Sequence, residues 1–338
     1  MYTRRSVRFG MLVRFAWWIV FVSTVWATLV VSVHLFFEAR GVDFSLPIAP
    51  IGTIGVAVAF YVGFKNSQSY DRFWEARKIW GGIVNVSRSW GNQVISFVSS
   101  YHCPDSVDES IVTEIQRSMI YRHIAWIHVL RFQLRRKTPW SFVSKHDLGG
   151  LTHETDVESM SNRISELIDE NERQIVCSQA NAATQLLRWQ SEELKRVAEK
   201  HRLVDEFRLM GMMNLITEMY SLQGKCERIK NTPFPRQYAY FSLVFVFIFI
   251  GLIPLGIVGE MAERGSPMIW LTVPISVVIS WIFWTMEAVG DSSEDPFENF
   301  INDVPMTALC TTTEIDLRQM LGETDVPEPI KPVYDILM

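Results

Sequence analysis

Few residues in this chain are spaced to do bond-making chemistry. His123 and His128 lie five apart, whereas a helical metal pair prefers four, and His146 and His153 sit in a stretch read as a loop. Cys103, Cys177, Cys226 and Cys310 are scattered without a CxxC pair, which fits reduced thiols on a cytoplasmic side rather than a zinc site. No nucleophile elbow, phosphate loop or dinucleotide fingerprint is present, so nothing points to an enzyme or a bound cofactor. The informative spacing is apolar. Val56, Phe60 and Phe64 fall at i, i+4 and i+8 on one stripe of a helix. Spacing alone leans to a face turned to lipid or packed neighbours. The competing reading is a ring of such stripes around a symmetry axis, an apolar constriction that gates by dewetting. Phenyl edges carry partial positive charge, so such a neck tolerates passing anions.

The elements that would hold this stripe read clearly. Hydrophobic residues make up 48% of 338 and charged residues 20%, a mixture of membrane part and soluble part. The formal charge of −5 argues against nucleic acid as the main partner. Spans are expected at Met11 to Phe37, Leu46 to Phe64, Tyr238 to Val258 and Met268 to Val289. The first is too long, and lacks the small-residue site, for a cleavable signal. Arg4, Arg5 and Arg8 before the first span, and Lys65, Arg72, Arg77 and Lys78 after the second, put both on the cytoplasmic side, with both termini inside. Between Pro50 and Pro104 no proline interrupts the chain, so one helix is expected to leave the bilayer and continue into water. Gly52, Gly55, Gly63, Ala57 and Ala59 offer small surfaces for helix packing.

The expected organisation is all-α: residues 1–78 with two spans, 79–232 as an inserted cytoplasmic helical domain, 233–290 with two more spans, and 291–338 as a cytoplasmic tail. Ile79, Ile83, Val86, Trp90, Val94 and Phe97 form a core-facing stripe. Further helices are expected at Ile111 to Leu134, Ser161 to Val176, Ala180 to Glu199 and Leu203 to Ile229. In the last of these, Leu203, Phe207, Met210, Leu215, Met219, Leu222 and Cys226 are taken to lie on or near one side. Thr138 to Thr155 reads as a loop, and no internal repeat or strand alternation is seen.

Directly after the second span comes a dense block, KNSQSYDRFWEARKIWG. Asp71, Arg72, Glu75 and Lys78 have spacings that permit ion pairs, and Phe73, Trp74 and Trp80 suit a headgroup belt. A plain juxtamembrane belt leaves Asn66, Ser67, Ser69 and Tyr70 unexplained. The run from Phe60 to Gly81, F-x-x-x-F-K-N-S-x-S-Y-D-R-F-W-E-A-R-K-x-W-G, resembles the signature of the bestrophin family in its bacterial form. Pro296 to Glu314, P-F-E-N-F-I-N-D-V-P-M-x-x-L-C-x-x-x-E, is similar to the family's P-F-G-x-x-x-N-D-L-P-L element, and the four-span layout agrees across nearly the whole chain.

This resemblance implies a homopentameric, multi-pass channel of the bacterial inner membrane, conducting chloride or other small ions through a central pore. The neck positions fall on Val56, Phe60 and Phe64, Val56 being smaller than the isoleucine often found there. Asn66, Ser67, Tyr70, Asp71, Arg72, Trp74 and Glu75 form the family-motif collar. Matching T-E-M at Thr217 to Met219 puts a second, cytoplasmic constriction at Met210. Animal members bind calcium through an acidic clasp, here corresponding to Asp295, Glu298 and Asp303, but Phe300 and Ile301 interrupt the carboxylates. Asp291, Glu294, Asp295 and Glu298 are instead read as a solvated helix-start cluster. Two other readings stay open: a cation-selective channel of the same fold, favoured by an acidic vestibule, and a non-conducting membrane-anchored scaffold, favoured by the size of the 79–232 domain and the exposed basic run Arg131 to Lys137. Reversal potentials separate the first, and ion flux from liposomes separates the second.

Overall fold

The computed structural model describes residues 1–102, 107–139, 157–265 and 267–338. Cys103, Pro104, His146, the Gly149-Gly150 pair, His153 and most of the loop expected at Thr138 to Thr155 lie outside the described residues. Among the described residues every named element is helical. α1 (Phe9–Glu38) is followed by α2 (Ile48–Phe97), one unbroken helix of 50 residues. At 1.5 Å per residue it reaches about 75 Å, far beyond a bilayer's hydrocarbon core. Pro50 is tolerated because it sits in the first turn, where the backbone N–H has no helical partner.

Beyond α2 come α3 (Glu109–Arg135), α4 (Val157–Ile164), α5 (Glu170–Ser178), α6 (Ala182–Glu199) and α7 (Glu206–Asn231). Side chains cap three of them: Asp108 accepts from Ser110 N, Asn181 from Thr184 N, and Asp205 from Phe207 N and Arg208 N. The helix expected over Ser161 to Val176 is broken into α4 and α5. The Ser165 hydroxyl donates to the Asn162 carbonyl at 2.7 Å, competing with helix continuation, and the turn buries Leu167.

The chain then returns through α8 (Arg236–Ala262) and α9 (Thr272–Ser292), the latter entered by a 3₁₀ turn at Met268–Leu271. Parts of α1, α2, α8 and α9, with that turn, are long and apolar enough to cross a membrane. α10 (Met306–Met320) lies in the expected tail and packs on α2 and α3. The two ends of the chain meet, with Arg8 Nε donating to Asp335 Oδ2 at 2.8 Å.

Two cores hold this arrangement. The near half of α2 buries Val58 and Val62 against Phe249 and Ile253 of α8 and Trp284 of α9. The far half buries Ile79, Ile83, Val86, Trp90 and Val94 against α3, α7 and α10, with Trp126 at the centre. Trp80 belongs to this second core at 1% exposure, and so is not a headgroup anchor. In α7 the buried stripe is Met212, Ile216, Met219, Cys226 and Ile229; Phe207 and Met210, expected beside it, stand 89% and 62% exposed on another face. That helix carries apolar residues on several sides, and its phase is set by what α2 and α6 cover.

Arg131 and Arg135, expected in an exposed basic run, are both buried, so no such run extends from Arg131. Arg131 Nη1 donates to Thr307 Oγ1 at 3.0 Å, and its guanidinium lies 4.4 Å over the Phe132 ring. His123 is buried beside Trp90 and Trp126. His128 shares Glu314 with Arg163, placing the second motif's glutamate inside the core. The two histidines are thus committed to separate packing environments.

Candidate functional site

Val56, Phe60 and Phe64 are 73%, 78% and 49% exposed, a row of large apolar side chains with little cover from their own chain. The opposite face of α2 is closely packed. A Cβ at Gly55 would stand 2.6 Å from the Phe249 ring, and one at Gly256 would stand 2.7 Å from Ile51 Cδ1. Gly52 and Gly63 have open space instead, so of the three glycines expected to serve packing only Gly55 does so within one chain. α2 is therefore pinned to α8 on one side and bare along the other.

Below this stripe the motif block divides by helical phase. Lys65, Ser69, Ala76, Ile79 and Trp80 turn inward; Ser67, Tyr70, Asp71, Trp74 and Lys78 are exposed, with the Tyr70 and Trp74 rings stacked at 6.4 Å. The inward residues clamp the helix. Lys65 Nζ, 1% exposed, donates to Glu287 Oε1 at 2.5 Å and Asp291 Oδ1 at 3.1 Å, and Ser242 Oγ donates to Glu287 Oε2 at 2.5 Å. One buried cation thereby ties α2, α8 and α9 together just beneath Phe64. Beside it Asn66 Nδ2 donates to the Met286 carbonyl at 3.0 Å.

Gly290 lets α9 come this close: an added Cβ would lie 1.9 Å from Asn66 Oδ1. Gly290→Ala is expected to destabilise the protein by about 1–3 kcal/mol, as overpacking of a fitted contact does. Gly251→Ala, where a Cβ meets nothing within 4 Å, should leave the midpoint of thermal unfolding nearly unchanged.

Arg72 and Glu75 do not pair along their own helix. Arg72 spreads its guanidinium over the carbonyls of Glu294, Thr232 and Ile229 at 3.0–3.1 Å, with Asp295 3.9 Å away. This fork closes the C-terminal end of α7, where carbonyls lack helical donors. Glu75 Oε1 instead accepts from Arg228 Nη2 at 2.5 Å. The inward half of the motif is thus a set of struts between α2 and distant segments.

The acidic residues after α9 are not a solvated helix-start cluster. Asp291 lies in the last turn of α9, while Glu294 and Asp303 are buried. Lys230 pairs with Glu298 at 2.5 Å and Arg236 with Glu294 at 3.3 Å. Burial, and then the Asp295 charge, push the Glu294 carboxyl up to about 7; burial and then Glu298 raise that of Asp295. Burial pushes Asp303 up to about 8, although it accepts from Phe300 N at 3.0 Å. Among the described residues no three His, Cys, Asp or Glu side chains converge as a metal site.

These raised values fix a pH dependence. The folded chain holds protons on Asp303 and Glu294 that the unfolded chain releases near pH 4. Their stabilising contribution is therefore full below about pH 4 and is lost as the pH rises towards about 8. Asp303→Asn should flatten the fall in unfolding midpoint between pH 5 and pH 8, measured by differential scanning calorimetry.

These features define a helical membrane protein whose longest helix is braced on one side and bare, apolar and aromatic on the other. The sequence matches the family described as Bacterial/Fungal Bestrophin protein over residues 5–319, and the chain belongs to that family. It is 30% identical over 292 residues to the voltage-dependent anion channel-forming protein YneE of Escherichia coli strain K12, covering 86% of this chain and 82% of that one. The protein of the same name from Salmonella typhi is 29% identical over 287 residues, covering 85% and 80%. A crystal structure of a bacterial bestrophin homolog from Klebsiella pneumoniae superposes with a TM-score of 0.74 at 24% identity, covering 90% of this chain and 98% of that chain.

Proposed function

We propose that this chain is the subunit of a homopentameric anion channel whose neck is lined by Val56, Phe60 and Phe64. The observation that carries the proposal is the bare apolar stripe on α2, opposite a face braced by Lys65, Asn66 and Arg72. Five such stripes facing an axis form an apolar constriction that thins ion hydration, and their ring edges favour anions. The names of the relatives, voltage-dependent anion channel-forming proteins, support the same ion class.

On this reading the exposed Met210 lies at a second constriction, and α3 to α7 with the far half of α2 form the cytoplasmic vestibule wall. The protein does no chemistry, and the ion passes down its gradient. Residues 1–78 and 233–290 carry the spans, 79–232 the inserted domain, and 291–338 a tail that returns onto α2 and α3 through α10. The contact between the chain's two ends supports both lying on one side of the bacterial inner membrane. The exposed half of the collar, Ser67, Tyr70, Asp71 and Trp74, faces the conduction path, where Asp71 is the feature a cation-selective reading would rest on. The scaffold reading keeps the size of the 79–232 domain but loses the basic run, because Arg131 and Arg135 are core residues.

Native mass spectrometry from detergent, paired with chloride efflux from liposomes, tests the proposal. Five-fold particles that release chloride are expected; a monomer would contradict it, since one α2 cannot enclose a pore.

A further inference from the structure

At the end of the membrane helices remote from α3 to α7, a cavity of about 550 Å³ opens between α1, α8 and the connection from α1 to α2. Its charged and polar lining comes from His34, Glu38, Asp43, Ser45, Glu260 and Glu263. Among the described residues no lysine or arginine lines it, and Arg40 is turned aside, its guanidinium 3.5 Å over the Phe36 ring and its Nη1 donating to the Phe36 carbonyl. The lining therefore carries uncompensated negative charge.

His34 makes this more than an acidic cluster. Its residue exposure is 3%, and Nδ1 makes no hydrogen bond. Asp43 Oδ1 stands 4.0 Å from Nδ1 and Glu38 Oε2 stands 4.0 Å from Nε2, both beyond hydrogen-bond reach. A buried ring nitrogen without a hydrogen-bond partner is costly, and His34 is one of the residues that line the cavity, so the site offers a place for a ligand donor. The walls are preformed: Leu46 N donates to the Leu255 carbonyl at 3.0 Å, and a Cβ on Gly259 would meet Ser45 at 2.7 Å.

The geometry points to a binding site for a small organic polyamine, which we propose as a ligand of this pocket. One ammonium N–H donates to His34 Nδ1 in the tautomer that carries its proton on Nε2. The remaining ammonium groups lie against Asp43, Glu260 and Glu263, and the methylene chain lies on Val42, Leu46 and Ile48. A bare metal ion fits less well, because no three ligating side chains converge among the described residues and the cavity is of small-molecule size.

Isothermal titration calorimetry of the full chain in nanodiscs at pH 8, with spermidine as the probe, tests the site independently of conduction. Saturable binding is expected, weakened at least about ten-fold by His34→Gln and by Glu260→Gln with Glu263→Gln, a loss of the order of 1.4 kcal/mol. Glu166→Gln, an exposed change far along the chain, should leave it unchanged. Glu260 and Glu263 are exposed, so the double variant keeps the test intact if His34→Gln fails to fold. Spermidine should also raise the unfolding midpoint of the parent chain and not of the double variant. Absence of saturable binding, binding that survives the double variant, or displacement of spermidine by equimolar magnesium or calcium would each overturn the proposal.

Discussion

Phe60→Ala and Phe64→Ala each raise single-channel conductance in planar bilayers, and the double variant raises it most, by at least about two-fold for a hydration-limited neck. The expectation follows from exposure and bracing together. Both rings project from a helix whose other face is fixed to α8, so truncation removes side-chain volume from the open side. Neither substitution withdraws a ring from the buried core, and stability should change little. Loss of the phenyl edges also removes their partial positive charge, so anion preference should weaken as conductance grows. Phe64 touches Tyr238 at a ring separation of 6.5 Å, so its variant carries some loss of packing that Phe60→Ala does not. Unchanged currents in both variants would move the neck away from this stripe.

Lys65→Met has the largest expected effect on stability. Lys65 and Glu287 are 1% and 4% exposed, and removing the ammonium leaves a buried carboxylate whose remaining donor among the described residues is Ser242. Breaking one side of such a pair costs about 3–5 kcal/mol, because the remaining charge has no compensation. Replacing both partners, Lys65→Met with Glu287→Gln, should recover most of the loss, since the desolvation of two charges disappears with their attraction. Thermal unfolding of the single and double variants in one detergent measures this. Equal loss in both would show that the uncompensated charge left on Glu287 is not what destabilises the single variant.

The four apolar helices were legible because each needs about twenty residues with almost no charge, a pattern that composition cannot hide. The continuity of α2 was equally plain from the absence of proline after its first turn. The phase of Val56, Phe60 and Phe64 could be read from spacing, but not whether lipid, a neighbour or an axis faces them. The collar was visible as a block and opaque in detail. Which of its residues turn inward depends on Glu287, Asp291, Glu294 and Thr232, all distant in the chain. Charge misled where the charged side chain is buried, as at Arg131, Arg135 and Glu294. In α7 the apolar residues are spread round the helix, so its core phase could not be fixed without its neighbours. The cavity at His34 joins residues 34–48 to residues 256–263, far apart in the chain, and no local pattern announces it.

Reversal potential under a sodium chloride gradient, recorded from the purified chain in planar bilayers, tests the central claim most directly. A conducting protein whose reversal potential moves towards the chloride equilibrium value, and stays there when sodium is replaced by a large organic cation, is the predicted result. A reversal potential that follows sodium, or a silent bilayer holding verified protein, would contradict it.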